Sequence, residues 1–397
     1  MKPEPFFIPS LKLIDEYPEI FCQKNSLSQH FQEQWEWIQK FLDYIHRTKG
    51  QGTYSVYSIE MERWFNYLVM VKDKSLCDID DEDILDYIDF CCKPDSDWIN
   101  DHNCARYKKK NAVNVRNPNW RPFKVRKNNE LSKQTLNSIF SALSSLYKYI
   151  NKKGWNRTYP VDSARAECKR LSKGNAYKVA DRLSRDEWLT ILKTAINLAD
   201  QDPKYETNLF VVVTLKVFGM RIHELSRTEF HTPVMGDFSW AYDSQTGMKQ
   251  LILNIFGKGN KIRQVSVPDA YLDYLIRYRR YLGNLTDLPL PNEKTPLVRN
   301  SRGKAHAVKQ LSRIVGFIFA KSTEQRRIEK GPDEAKRLER ATTHIFRHTF
   351  ATELFEADAS LFDVSVALGH ASMATTNKIY LHNDSAERFR RESKRKI

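Results

Sequence analysis

Apolar residues in the first part of this chain recur at helical spacing, so that they fall on one stripe of each segment. Four such stripes occupy residues 31–45, 57–71, 84–90 and 136–150, which predicts four amphipathic helices. Ser132 or Thr135 is placed to cap the fourth helix. We therefore expect a compact helical domain over residues 29–152.

The second part of the chain changes its pattern. Ser184 followed by Glu187 has the spacing of a capping box, and two helices are expected after it, over residues 186–200 and 206–219. Residues 250–256 and 262–267 alternate with a period of two around a Gly-Lys-Gly-Asn-Lys turn, which predicts a β-hairpin. Helical spacing returns at Pro268, and the highly charged residues 322–340 are expected to be solvated.

These patterns predict a mainly α protein with a small β-hairpin or sheet. We expect a segment of unknown role over residues 1–28 and the helical domain over 29–152. A basic linker over 153–180 and a second domain over 181–397 follow.

The composition is that of an ordinary globular protein, with 41% hydrophobic and 28% charged residues among 397. The longest apolar run, residues 209–218, contains Lys216 and is shorter than the roughly 18 residues needed to span a bilayer. No apolar secretion signal opens the sequence, so a cytoplasmic location is expected. Its cysteines would then be reduced. Cys91, Cys92, His102 and Cys104 could form a zinc site, but their spacing matches no common pattern, and ordinary thiols are favoured.

Charge points to a polyanionic partner, because the net charge is +15 and the isoelectric point is near 9.4. Residues 106–127 contain nine Lys or Arg residues and no acid, and their Asn and Pro residues predict a loop. The stretch is either a solvated, mobile insertion or a phosphate-binding loop. We favour the second, because a like-charged run repels itself unless an anion neutralises it. The candidate DNA-binding residues are Lys108, Lys109, Lys110, Arg116, Arg121, Lys124, Arg126 and Lys127, with Lys261 and Arg263 from the predicted hairpin.

Two upstream cations are candidates for binding a phosphate. Arg221 follows Gly219 where one helix ends and another begins, and a guanidinium there can hold two phosphate oxygens. Glu224 could orient Arg221 or cap a helix. Lys258, at the tip of the predicted hairpin, could give a proton to a leaving oxygen. Taken alone, Arg221 is more often an exposed arginine at a helix start, and the Gly-Lys-Gly turn of Lys258 is commonly a plain solvent-facing loop.

A second group of polar residues lies near the end of the sequence. His344 and Arg347 share a helix face, at a helix start expected to be capped by Thr342 or Thr343. His344 and His348 have metal-ligand spacing, but the cationic Arg347 between them opposes a metal ion. His370 follows in a Leu-Gly-His triplet, and Tyr380 is the only tyrosine after residue 281.

In this order, the motifs resemble those of the tyrosine recombinase (phage integrase) family. That family carries an Arg box, a Lys hairpin, H-x-x-R, L-G-H and T-T…Y. The corresponding residues here are Arg221, Lys258, His344, Arg347, His370 and Tyr380, with Thr375 and Thr376 before the tyrosine. The resemblance covers residues 184–382 strongly and the helical domain loosely. His370 and Tyr380 are ten residues apart, where the family usually has nine, so their connection is expected to be looped or differently packed.

The resemblance implies a helical core-binding domain and an α+β catalytic domain that clamp double-stranded DNA. Tyr380 would attack the scissile phosphate to form a 3′-phosphotyrosyl link, and Lys258 would protonate the departing 5′-oxygen. Arg221 and Arg347 would neutralise the phosphate, while His344 would assist proton transfer and His370 would donate a hydrogen bond. No metal or nucleotide cofactor is implied, and four protomers would act on two sites.

Within that resemblance, a site-specific recombinase is favoured, serving as the integrase or transposase of a mobile genetic element. A type IB topoisomerase-like enzyme and a non-catalytic DNA-binding accessory protein are the alternatives. The complete set of six site residues argues against the accessory protein, since a binder gains nothing from the phenol.

Overall fold

A computed structural model describes residues 2–102, 104–125, 131–172, 182–228, 231–242, 247–257, 261–284 and 286–370, with only the backbone described at 21–23 and 172. The chain divides into two compact units, Met1–Asn175 and Ala176–Ile397. Each unit has its own apolar core.

The first unit is built on the four predicted helices, which the structure confirms. They are α2 (Gln29–Thr48), α3 (Gln51–Tyr67), α4 (Asp81–Cys92) and α5 (Lys133–Lys152), and a single π-helical turn, Leu68–Lys72, follows α3. Ser132 caps α5, because its hydroxyl accepts from the amide of Thr135 at 3.1 Å. Trp64, Phe65 and Phe140 are among the fully buried side chains.

Described residues on both sides of these four helices pack into the core of the same unit. Residues before α2 form a 3₁₀ helix, Leu11–Glu16, and α1 (Pro18–Ser26), while Phe6, Phe7 and Ile8 are buried in the core. After α5, the chain forms α6 (Pro160–Glu167) and α7 (Lys169–Ser172). Val161 and Ala164 of α6 are buried in the same core.

The basic stretch forms strands and not the expected irregular loop. β2 (Tyr107–Lys110) and β3 (Val113–Arg116) pair antiparallel. The intervening Asn111 and Ala112 both have positive φ angles of 48° and 69°, as a two-residue hairpin turn with the twist of its strands requires. On either side, β1 (Ile99–Asn100) and β4 (Phe123–Lys124) form a short parallel pair.

The second unit consists of a three-stranded antiparallel sheet and eight α-helices in its described residues. The predicted hairpin is confirmed as β6 (Lys249–Phe256) and β7 (Ile262–Ser266), and β5 (Phe238–Tyr242), which the sequence did not predict, joins β6 at the edge. The helices are α8 (Arg185–Gln201), α9 (Glu206–Val217), α10 (Ile222–Leu225), α11 (Asp269–Tyr281), α12 (Val308–Lys330), α13 (Pro332–Glu339), α14 (His344–Glu356) and α15 (Leu361–Leu368).

Most of the charged residues 322–340 are exposed, as expected of a solvated segment. These residues form the end of α12 and all of α13, and Ser322, Thr323 and Arg326 are among the few that are buried. Arg326 donates to Asp186 at 2.7 Å and to Glu334 at 2.8 Å. Its charge is therefore satisfied within the fold.

Among the described helices, none combines the length and the apolar composition that a membrane span requires.

Candidate active site

The first cation of the site, Arg221, lies in a sharp turn between α9 and α10. Glu224 accepts a hydrogen bond from the Arg221 amide at 2.8 Å and another from its guanidinium at 2.9 Å. Glu224 therefore both caps the helix and orients Arg221, which are the two roles the sequence left open.

The turn before Arg221 depends on Gly219. Its φ is +54°, and a Cβ built on it would lie 2.3 Å from Cδ1 of Phe350 on α14. Only glycine combines a left-handed backbone with so close an approach. The turn thus lies directly against α14, which carries the second half of the site.

Arg347 connects three of the motifs that are distant in sequence. Its side chain is buried, and it donates from Nη1 to the Gly219 carbonyl at 2.8 Å and from Nη2 to the Leu368 carbonyl. The Arg box, α14 and the end of α15 therefore meet around one guanidinium.

The two imidazoles lie in the electrostatic field of these arginines. His344 is the first residue of α14, and its pKa is lowered by partial burial and then by the charges of Arg347 and Arg221. His370 follows Gly369, which ends α15 in the left-handed conformation. Burial, followed by the charges of Arg347 and Arg221, lowers the pKa of His370 to about 4. Both rings are held as neutral imidazoles near pH 7, beside a pair of cations.

The expected cap of α14 is only partly confirmed. Thr343 occupies the N-cap position, but its hydroxyl makes no capping hydrogen bond.

Arg263, expected to contact DNA, is instead an internal residue. It is buried, and it donates to Glu224 Oε2 at 2.9 Å and to the carbonyls of Phe218 and Ala367. This corrects the sequence-based prediction of a surface DNA contact, because every one of these partners lies inside the protein. The alternation of β7 contained the signal: Arg263 shares its face with the buried Val265.

Glu224 is thus a buried carboxylate between two guanidiniums. Burial alone would raise its pKa, but the charge and hydrogen bond of Arg263 and the amide of Arg221 outweigh that effect, and the pKa is lowered. The carboxylate remains ionised, so it balances part of the positive charge that Arg221, Arg263 and Arg347 bring together.

Lys258 and Tyr380 lie outside the described residues, as do Thr375, Thr376 and the ten-residue connection. The base of the hairpin is described: the Gly257 amide donates to the Lys261 carbonyl at 2.8 Å. A Cβ on Gly257 would lie 3.6 Å from Glu224 Oε1. The residue that precedes Lys258 in sequence therefore lies near the carboxylate that orients Arg221.

The other predicted DNA contacts differ in exposure. Lys108, Lys109, Lys110, Lys124 and Lys261 are exposed. Two arginines make contacts within the protein: Arg116 pairs with Glu4 and Glu19, and Arg121 donates to the Pro118 and Trp120 carbonyls. Arg126 and Lys127 lie outside the described residues.

The zinc alternative has no geometric support in the described residues, where no three His, Cys, Asp or Glu side chains are grouped to hold a metal ion. Cys91 and Cys92 are buried on α4, whereas His102 is exposed.

Comparison with known proteins assigns the class. Residues 181–387, just over half of the chain, match the phage integrase family. The chain belongs to this family of tyrosine recombinases, as the motifs predicted.

Individual relatives share a moderate sequence identity with this chain. The chain is 28% identical over 265 residues to tyrosine recombinase XerC of Thermodesulfovibrio yellowstonii, covering 64% of this chain and 72% of that protein. It is 26% identical over 278 residues to tyrosine recombinase XerS of Streptococcus sanguinis, with 64% and 69% covered.

The same fold occurs in solved structures. The XerH site-specific recombinase bound to its difH substrate superposes with a TM-score of 0.54 at 19% identity, over 99% of each chain. The Tn1549 transposon integrase in complex with a circular intermediate DNA superposes with a TM-score of 0.52 at 15% identity, over 89% of this chain and 99% of that one.

Proposed function

We propose that this protein is a site-specific DNA recombinase that cuts and rejoins duplex DNA through a 3′-phosphotyrosyl intermediate. The observation that carries the proposal is the convergence of Arg221, Arg347, His344 and His370, in which both imidazoles lie within the influence of both guanidiniums and Glu224 orients Arg221. This arrangement concentrates positive charge and neutral hydrogen-bonding groups where a phosphodiester would bind.

Cleavage would begin with attack on phosphorus by the Tyr380 hydroxyl oxygen. A new P–O bond forms to the phenol, the P–O5′ bond breaks, and Lys258 gives its proton to the departing 5′-oxygen. The 5′-hydroxyl reverses these steps in religation. The covalent bond conserves the energy of the broken ester, so no nucleotide is consumed.

The described residues would stabilise the charge that develops in this step. Arg221 and Arg347 would donate to the non-bridging oxygens, each as a charge-assisted hydrogen bond. His344 would accept the phenolic proton, which requires the neutral ring that its lowered pKa provides. His370, also neutral, would donate an N–H to a phosphate oxygen.

The wider proposal is that four protomers act on two recombination sites, as the integrase or transposase of a mobile genetic element. The basic hairpin of the helical unit supports an extended DNA contact, since Lys108, Lys109 and Lys110 are exposed and no acid lies between residues 106 and 127. A type IB topoisomerase would instead relax supercoiled plasmids that lack a specific site.

The test is to trap the covalent intermediate. A duplex nicked next to the scissile phosphate loses the short 5′-hydroxyl fragment after cleavage, which prevents religation. Wild-type protein is expected to give a covalent protein–DNA band in a denaturing gel, and Tyr380→Phe none. Tyr281→Phe removes an exposed phenol at the end of α11 and serves as the matched control. A band that persists in Tyr380→Phe would exclude this nucleophile.

A further inference from the structure

Residues 4–19, here called the leading strap, are held in a groove of the helical unit. Side chains of the groove bind the backbone of residues 4–8 from several directions. Asn66 binds the amide and carbonyl of Glu4 at 3.0 and 2.9 Å, and Gln39 binds those of Ile8 at 3.1 and 3.0 Å. Trp35 donates to the Phe6 carbonyl at 2.9 Å.

A buried carboxylate lies at the centre of this groove. Glu62 on α3 is inaccessible to solvent, and its two oxygens accept from the amides of Phe6 at 2.8 Å and Phe7 at 3.0 Å. Arg106 donates to the same carboxylate at 3.0 Å. Arg106 immediately precedes β2, so one ion joins the strap to the root of the basic hairpin.

The strap also contacts the hairpin itself, residues 107–116, here called the basic ribbon. The hydroxyl of Tyr107 donates to the Phe7 carbonyl at 2.9 Å, and the ring of Tyr107 meets that of Tyr17 edge-on at 4.9 Å. On the other strand, the Arg116 amide donates to Glu19 at 2.8 Å, and the Arg116 guanidinium pairs with Glu4. Both strands are therefore fastened to the strap at the same end.

Away from the strap, the charged side chains of the ribbon are exposed to solvent. Lys108, Lys109 and Lys110 are exposed, and none of the three pairs with an acid in the parts of the chain that the structure describes. A two-stranded ribbon fits within the major groove of duplex DNA, and unpaired lysines bind phosphates at its edges. Because a two-stranded hairpin alone is marginally stable in water, the direction of the ribbon depends on what holds its root.

We propose that the leading strap is a positioning element that aims the basic ribbon at the phosphates of a duplex, where Lys108, Lys109 and Lys110 bind. The proposal rests on the DNA-recombinase function and adds a part to it. The strap orients the ribbon through Tyr107 and Arg116 without touching DNA.

A triple variant tests the strap, because the sign of its effect separates positioning from simple electrostatics. Glu4→Gln, Glu19→Gln and Tyr107→Phe together remove both ion pairs to Arg116 and the Tyr107 hydroxyl bond, so that the strap's hold on the ribbon weakens while the apolar core stays intact. Losing two acids raises the net positive charge, so electrostatics alone predicts tighter DNA binding. Positioning predicts that affinity for a duplex recombination site falls on the order of fivefold.

The matched control is Asp89→Asn with Asp162→Asn, which removes two acids of the same unit that are paired with Arg170 and Lys148, away from the ribbon. Binding of labelled duplex is compared after circular dichroism and thermal unfolding show both variants folded. If the triple variant fails to fold, Tyr107→Phe, which leaves the net charge unchanged, replaces it and is compared with the wild type as its control. Affinity equal to or above that of the control overturns the strap proposal; affinity below it supports the proposal.

The ribbon is tested separately with Lys108→Ala, Lys109→Ala and Lys110→Ala combined. Each phosphate contact contributes about 0.9 to the slope of log affinity against log salt concentration. We expect the slope to fall by about 2 to 3 units. An unchanged slope overturns the ribbon's role even when the wild-type protein still forms the covalent intermediate, so this failure is distinct from failure of the recombinase function.

Discussion

Replacing Glu224 by Gln is the perturbation that probes the internal organisation of the site most sharply. The side chain is 6% exposed and accepts from the amide of Arg221 and from two guanidiniums at 2.9 Å each. Glutamine keeps the shape of the side chain but removes the negative charge. Arg263, itself buried, then loses its only carboxylate partner among the described residues.

The expected loss of stability follows from that burial. Breaking a buried ion pair by removing one partner typically costs about 3–5 kcal/mol, because it leaves a charge without compensation. Removing both charges costs much less when the replacement fills the same volume. We therefore expect Glu224→Gln to destabilise the catalytic unit by about 3–5 kcal/mol, and the double variant with Arg263→Met to recover most of that loss.

The rate of DNA cleavage should respond differently from the free energy of unfolding. Both variants lack the carboxylate that orients Arg221, so both should cleave more slowly at saturating DNA even where stability is regained. We expect a reduction of about tenfold to a hundredfold, smaller than the loss of a direct transition-state donor. The affinity for DNA should change little, because the charge of Arg221 remains.

Two measurements decide this prediction. Urea unfolding gives the free energies of the wild type, both single variants and the double variant. Single-turnover cleavage of the nicked duplex gives the rate at saturating DNA. A destabilisation by Glu224→Gln below about 1 kcal/mol, together with an unchanged cleavage rate, would refute the organising role of this carboxylate.

Three further predictions concern single groups. Gly219→Ala should destabilise the protein by about 2–4 kcal/mol, because alanine is strained in the left-handed conformation and its Cβ would displace Phe350. Gly50→Ala is the control: a Cβ there meets open space, so stability should change by less than about 1 kcal/mol. Equal denaturation midpoints for the two variants would contradict this prediction. The His370 ring should stay neutral from pH 7 down to about 4. Because the unfolded ring binds its proton near the ordinary value of 6.5, His370 contributes stability that is complete above that pH and lost as pH falls towards 4; an NMR titration midpoint at or above 6.5 would be inconsistent with the site. Lys258→Ala should slow cleavage about 10²–10⁴-fold. A DNA substrate with sulfur in place of the bridging 5′-oxygen should restore the rate, because the sulfur leaves without being protonated. If the rate is not restored, another group protonates the 5′-oxygen.

The sequence predicted those parts of the fold that local periodicity determines. The four stripes became α2–α5, and the alternation around residues 257–261 became β6 and β7. β5 was missed because only Phe238 of its aromatic face is buried, whereas Trp240 and Tyr242 are exposed. The segment around Phe6 has no helical period, and its position depends on side chains more than 25 residues away.

In the candidate site, too, the sequence predicted what local motifs determine but not the contacts between distant residues. The motifs identified which residue types would meet, because their chemistry suits a phosphate and their order is that of the family. They did not show that Arg263 is internal: the alternation of β7 indicated its buried face, but its pairing with Glu224 joins residues 39 positions apart. A basic residue beside a hairpin looks like a DNA contact until burial and partners are known.

Tyr380 is expected to become joined to the 3′ end of a cleaved DNA strand, and peptide mapping of the trapped intermediate locates that bond. After nuclease and protease digestion, mass spectrometry should find one peptide carrying a nucleotide through a 3′-phosphate, with fragment ions locating the bond on Tyr380. A nucleotide on any other residue, or one attached through its 5′ end, would contradict the account.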